Sequence, residues 1–409
     1  MTTGDPSVVV AVVDTGVDLT HPELAPNAWH NGGEQPNGAD DDGDGLVDDV
    51  AGWSFGHDSA DTADPSGHGT HVAGLVAARG GNGIASAGVC WQCTILPVDV
   101  YREDGRGTLA DLAEGMEFAA RHARVVNLSL ESPVTSDEVG EAVAAHPDRL
   151  FVVSAGNGGR DVETAPSYPC SVDAPNLICV AADDAGSPAE EANWGARSVD
   201  LAAPGVALVS TAPGGRTSAM TGSSFSAPLV AGTAALLWSW RPDASVAAVR
   251  DAILAGADRL PRWAGRTATG ARLNAFGALR ALAAARGEQP PVAPVEPAAA
   301  AVEPVSASAS SSSPVVAAAP APFAFPAPRA RLRHGVLTVR LRCGSSSRAC
   351  AGTARVLGAA RRYAIAAGSS RAARFRLRRT YAARRVQRVR VAVEAGSRRR
   401  VFSVRVVAR

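Results

Sequence analysis

Three side chains of complementary chemistry stand at punctuated points of the sequence. Asp14 follows the apolar run Val8-Val-Val-Ala-Val-Val13 and precedes Thr-Gly. A carboxylate at the end of a buried strand sits where open α/β sheets place functional groups. His68, flanked by Gly67 and Gly69, opens the apolar stretch His71-Val-Ala-Gly74. Ser224 opens a second one, Ser-Ser-Phe-Ser-Ala-Pro-Leu-Val-Ala-Gly over 223–232. Proline at position 228 is tolerated in the first turn of a helix. A Ser hydroxyl there lies beside the positive end of the helix, which favours developing negative charge. Serine alone is a poor nucleophile. It needs a base of near-neutral pKa, and an imidazole answers that need. The imidazole in turn needs a carboxylate to hold its tautomer and stabilise its cation. The chain supplies all three, in the order Asp, His, Ser. Each residue alone is an ordinary turn or cap residue, so the reading rests on their joint occurrence.

A second signal is acidic. Asp40-Asp-Asp-Gly-Asp-Gly-Leu-Val-Asp-Asp49 carries six carboxylates with interposed glycines. Asp40, Asp42 and Asp44 followed by Gly45 match the opening of an EF-hand-like loop, whose glycine allows a sharp turn of inward oxygens. The usual Glu at the twelfth position is Ala51, so Asp48 or Asp49 must close a Ca²⁺ site. The competing reading is a solvated acidic loop.

The elements that position these groups alternate. Strands are expected at Val8–Val13, Thr94–Val98, Arg124–Leu128, Leu150–Val153 and Leu177–Val180. Helices are expected at His71–Ala78, Leu109–His122, Asp137–Ala145, Pro228–Trp240 and Val246–Ala255. Such alternation predicts an α/β domain, a parallel sheet covered on both faces, over residues 1–286. Residues 287–328 are mostly Pro, Ala, Ser and Val and read as a disordered linker. Residues 329–409 return to β alternation and read as a small all-β sandwich-like module, with Arg at most outward positions.

Charge divides the same way. The stretch 329–409 holds 23 of the 40 basic residues and a single acidic one, Glu394, although the whole chain is neutral. The Arg-rich module either binds an anionic surface or is a solvated β module whose basic residues are all Arg. Its aromatics are too sparse for a base-stacking platform. No apolar run approaches the ~18 residues of a membrane span. Six cysteines fall into local pairs, Cys90/Cys93, Cys170/Cys179 and Cys343/Cys350. Adjacent pairs in even number suit disulfides and an oxidising compartment. A signal sequence is missing at Met1-Thr-Thr-Gly. The cysteines therefore argue for a secreted protein with a truncated start.

The segments Asp14-Thr-Gly16, His68-Gly-Thr-His71 and Gly222-Ser-Ser-Phe-Ser-Ala-Pro228 resemble the three signatures of the subtilisin-like serine peptidases, in that family's order. The resemblance covers residues 5–285. It implies a subtilisin-like fold and a serine endopeptidase acting on proteins and peptides, with Asp14 as orienting carboxylate, His68 as base and Ser224 as nucleophile. Val152-Val-Ser-Ala-Gly-Asn157 is similar to the family segment whose Asn donates to the oxyanion. Ser223, Phe225 and Leu229 replace the usual Thr, Met and His without removing a catalytic group.

The resemblance also implies a groove. Val126-Asn-Leu-Ser129-Leu130-Glu131 is similar to the edge strand that pairs with substrate backbone, and Gly105-Arg106-Gly107 to the opposite wall. Glu131 stands where the family usually has Gly. Its carboxylate either favours a basic substrate residue or points to solvent. Acidic inserts ahead of the catalytic His occur in some members, and a removable pro-segment is usual; none is visible here. A monomer is expected. The alternative function is an inactive peptidase scaffold used for binding or adhesion.

Overall fold

In the computed structural model, residues 2–84, 86–102 and 104–289 are described, together with the backbone of seven strands between 329 and 407. The chain divides into two compact units, Met1–Ala319 and Pro320–Arg409.

The first unit has β1 (Val9–Asp14), β2 (Trp53–Ser54), α1 (His68–Ala77), β3 (Thr94–Asp99), α2 (Leu109–His122), β4 (Val125–Leu128), α3 (Asp137–Ala144) and β5 (Leu150–Ser154). Then follow β6 (Leu177–Asp184), β7 (Ser187–Pro188), β8 (Leu201–Pro204), β9 (Leu208–Ala212), β10 (Arg216–Met220), α4 (Ser223–Trp240), α5 (Val246–Ala255), β11 (Asp258–Arg259), β12 (Ala271–Arg272) and α6 (Ala275–Ala285). The main sheet runs β11-β12-β8-β6-β5-β4-β1-β3-β2, with β7 beside β6. From β12 to β2 every pairing is parallel.

Strand alternation builds the two apolar layers. Val10, Val12, Val125, Val152 and Ile178 face α1, α4, α5 and α6. Ala11, Val13, Val126, Val153 and Cys179 face α2 and α3. Successive side chains in a strand point to opposite faces, so one continuous apolar run serves both layers. The order also makes β1 a switch point. The chain leaves it towards β3 on one side and returns to β4 on the other. The crevice beyond the carboxyl end of such a strand is the usual site of an α/β sheet, and Asp14 is its last residue.

Differences from the sequence reading are local. The helices of α1 and α4 begin earlier, at His68 and Ser223. Their first turns hold the small and polar residues that hide a helical period. Strands β8 to β10 and helix α6 were not among the elements expected from the sequence. Val126–Leu128 is interior, since β4 lies between β1 and β5. Ser129 and Leu130 follow the last rung of β4, and Glu131 and Ser132 are β-bridge residues, Ser132 paired with Tyr168.

In the second unit, β13 (Arg329–Arg333), β14 (Val336–Arg342) and β17 (Ser370–Arg376) form one antiparallel sheet. A second comprises β15 (Cys350–Val356), β16 (Ala359–Ile365), β18 (Val386–Ala395) and β19 (Arg398–Val407). In the first sheet Arg329 pairs with Arg340, Leu332 with Leu337, and Leu337 in turn with Phe375. The predicted linker and the Cys343/Cys350 pairing lie outside the described residues. Among the described residues no helix is long and apolar enough to cross a membrane.

Candidate active site

Asp14, His68 and Ser224 arrive from three elements. Asp14 ends β1, His68 is the first residue of α1, and Ser224 lies in the first turn of α4. All are nearly inaccessible to solvent. Their helices start on glycines with positive φ, Gly67 at 80° and Gly222 at 144°, a backbone that glycine tolerates and other residues resist. A Cβ on Gly69 would collide with the carbonyl of Gly16, so the turn after His68 can press against the β1 end only as glycine.

His68 Nδ1 lies 2.7 Å from Asp14 Oδ1, which also accepts from Thr15 N–H at 2.8 Å. With Asp14 ionised, Nδ1 is the donor and Nε2 carries the free lone pair. Nε2 is buried and makes no hydrogen bond. The His68 ring packs 5.2 Å from that of Phe225, the neighbour of Ser224. Burial pulls the imidazole pKa down, but the charge and hydrogen bond of Asp14, with Asp64 behind, outweigh it and hold it above the usual 6.5.

Asp64 is a supporting residue that the sequence reading missed. It accepts from Thr15 Oγ1 (2.8 Å), Gly67 N–H (2.9 Å), and Thr70 N–H and Oγ1 (2.8 and 2.7 Å). It thus ties the β1 end to the α1 start. A carboxylate just before an apolar helix is a capping signal, which could have marked it. His71, in the same signature, is a core residue. Its Nε2 lies 3.0 Å from the Leu208 carbonyl, and burial lowers its pKa to about 4.

Asn157 follows β5. Its Oδ1 accepts from Ser223 N–H at 2.8 Å, which turns the carboxamide NH₂ the other way. Ser223 Oγ accepts from Gly156 N–H at 3.0 Å. Ser129 Oγ donates to the Ser224 carbonyl at 2.6 Å, and the Leu130 carbonyl accepts from Ser154 Oγ at 3.1 Å. Ser129 and Leu130 are fully buried, Ser129 tied to the first turn of α4 and Leu130 to β5. Gly105 and Arg106 lie in an exposed turn closed by Arg102 N–H to the Arg106 carbonyl, and buried Gly107 is bridged to Tyr101. Tyr101 is buried beside the Asp14, Asp99 and Glu131 carboxylates; burial, then those charges, push its pKa well above 10.

The acidic loop gathers two groups of carboxylates with ligand atoms within 4.8 Å of one another: Asp40, Asp42 and Asp44, and Glu34, Asp42 and Asp49. Glu34 and Asp49 are fully buried. Asp49 Oδ2 has no hydrogen bond, and burial, with Asp44, Asp42 and Glu34 nearby, raises its pKa to about 6. A buried, unpaired carboxylate oxygen among other carboxylates fits a hard cation. Glu34, outside the motif, was not anticipated. Asp48 belongs to neither group. Its carboxylate accepts from the N–H groups of Asn37 and Gly38. Cys90–Cys93 and Cys170–Cys179 are disulfide-bonded.

The family model described as "Subtilase family" matches residues 5–278. The chain belongs to the subtilase family. It carries that family's serine endopeptidase domain in a subtilisin-like α/β fold. Similar proteins include a thermophilic serine proteinase of Bacillus sp. strain AK1, 37% identical over 58% of this chain and 54% of that protein. Thermitase of Thermoactinomyces vulgaris is 35% identical over 66% of this chain and 88% of that protein. Among solved structures, a cold-adapted subtilisin-like serine proteinase is 27% identical, with TM-score 0.55, covering 66% of this subtilase and 88% of that chain. This subtilase thus spans about half the length of the Bacillus relative.

Proposed function

We propose that this subtilase hydrolyses peptide bonds within proteins through an acyl-enzyme on Ser224. The Asp14–His68 contact at 2.7 Å, with the His68 lone pair turned inward beside Phe225, carries the reading. His68 Nε2 takes the Ser224 proton as Oγ attacks the carbonyl carbon. The oxyanion meets the Asn157 carboxamide and the Ser224 N–H. The imidazolium, stabilised by Asp14, returns its proton to the leaving amine. Water then repeats the sequence on the ester.

A fluorophosphonate should label Ser224. The labelling rate should rise with pH through the His68 pKa. Only the neutral imidazole is a base and its pKa is raised, so the midpoint should lie above 6.5. Folded protein that takes up no label would instead support the binding-scaffold reading.

The loop carboxylates Asp40, Asp42, Asp44 and Asp49, joined by Glu34, would hold a structural Ca²⁺, whose charge neutralises the cluster. Without a cation, Asp49 titrates higher folded than unfolded, so stability falls as pH rises from about 4 to 6. Chelator should lower the melting temperature by about 5–10 °C at pH 8, and by less at pH 5, where protons already neutralise Asp49. An unchanged melting curve, with no calcium in purified protein, would contradict this.

Residues 1–286 are taken as the catalytic domain, 287–328 as a linker and 329–409 as an accessory module. The excess of Arg over acidic residues in 329–409 suits an anionic surface. The two disulfides favour a secreted protein. The comparison with a cell wall-associated protease of Bacillus subtilis, 32% identical over 61% of this chain and 26% of that protein, agrees.

A further inference from the structure

Glu131 had two destinations in the sequence, the groove or solvent. The structure leaves its side chain only 14% exposed. The carboxylate lies against the backbone of Gly156 and Asn157. Oε1 stands 3.4 Å from Asn157 N–H, and Oε2 stands 3.4 Å from both Ser167 Oγ and Asn193 Nδ2. A Cβ on Gly156 would collide with Oε2, so glycine at 156 is what admits the carboxylate.

These contacts are long for a charged acceptor, whose hydrogen bonds normally shorten to about 2.7–2.9 Å. The cation beside it is Arg160. Its Nη2 is 3.8 Å away, and its Nε is buried without a hydrogen bond. The anion is thus held loosely and has capacity for a closer, bidentate partner. Its surroundings suit a cationic side chain of the substrate. Ser167 and Asn193 are buried polar neighbours of Oε2 and leave it without a second cation.

Position gives this meaning. Ser224 and Asn157 fix where the scissile carbonyl stands, and the N–H of the same Asn157 points at Glu131. The side chain of the residue that owns that carbonyl therefore starts within reach of the carboxylate. We propose that Glu131 determines specificity, and that this subtilase cleaves after Arg or Lys, whose cation replaces the loose Arg160 contact. The inference rests on the roles given to Ser224 and Asn157. It also resolves a conflict, because an uncompensated carboxylate beside Asn157 opposes the oxyanion. A basic substrate residue removes that repulsion at the moment of attack.

The test uses fluorogenic peptide amides identical except for Arg, Lys, Leu or Glu before the scissile bond. The wild type should favour Arg over Leu by about 10- to 100-fold in kcat/KM. Glu131→Gln should erase that preference, bringing the Arg-to-Leu ratio of kcat/KM to within about 3-fold of one. Arg160→Ala, which removes the internal competitor, should raise kcat/KM for Arg. A wild type that labels at Ser224 yet cleaves Leu as readily as Arg overturns the inference and leaves the catalytic reading intact. So does a folded Glu131→Gln that slows both substrates equally, since the carboxylate would then merely support Asn157. Should Glu131→Gln fail to fold, the wild-type ratio decides alone. No label at Ser224 overturns both readings together.

Discussion

Ser224→Ala is expected to lower kcat/KM by about 10⁶-fold, a magnitude carried over from subtilisin itself rather than derived from this chain. The reason is local. Ser224 lies in the first turn of α4, and its Oγ is the hydroxyl proposed to form the ester. Without it, His68 and Asp14 have no proton to move. The substitution removes one oxygen from a turn held by other atoms. The Ser224 carbonyl still accepts from Ser129 Oγ at 2.6 Å, and the rest of α4 stays packed in the core. The melting temperature should therefore change little, and fluorophosphonate labelling should vanish. Residual hydrolysis from binding and the oxyanion donors should persist at about 10³–10⁴ over water. A folded variant with more than a hundredth of wild-type activity would place the nucleophile elsewhere.

Asn157→Ala is expected to lower kcat by about 10²–10³-fold while KM moves by less than about 3-fold. The oxyanion exists only after attack, so its donor contributes to the transition state and not to substrate binding. The carboxamide is preorganised. Its Oδ1 is fixed by Ser223 N–H at 2.8 Å, and Gly222 closes on the same group. No reorientation is needed as charge develops. A variant with unchanged kcat and raised KM would make Asn157 a binding residue instead.

Much of this was legible because the chemistry sits in short, punctuated strings. Asp14, His68, Asn157 and Ser224 each lie at or near an element boundary, and boundaries carry signals, glycine and the end of an apolar run; Pro228, expected in a first turn, lies inside α4. The strands were legible because parallel strands buried on both faces read as continuous Val, Leu and Ile. The hairpin of β9 and β10 and helix α6 were not. In the hairpin, small, polar and apolar residues mix without a clean alternation, and neighbours fix its conformation more than propensity does.

The sequence by itself determined the chemical kind of each catalytic group, the alternation that builds the sheet and the acidic character of the loop after β1. Only the tertiary structure decided which groups meet. It brought Glu34 into the acidic cluster and turned Asp48 out of it. It made Asp64 the tie between β1 and α1. It placed β4 inside the sheet, with Ser129–Glu131 beyond its end. Above all, it turned the Glu131 carboxylate inward against Asn157. Side-chain type is written residue by residue. Proximity between residues dozens to hundreds of positions apart arises from the order in which strands pair, and the energy that fixes that order is spread over the whole apolar core rather than written in any local string.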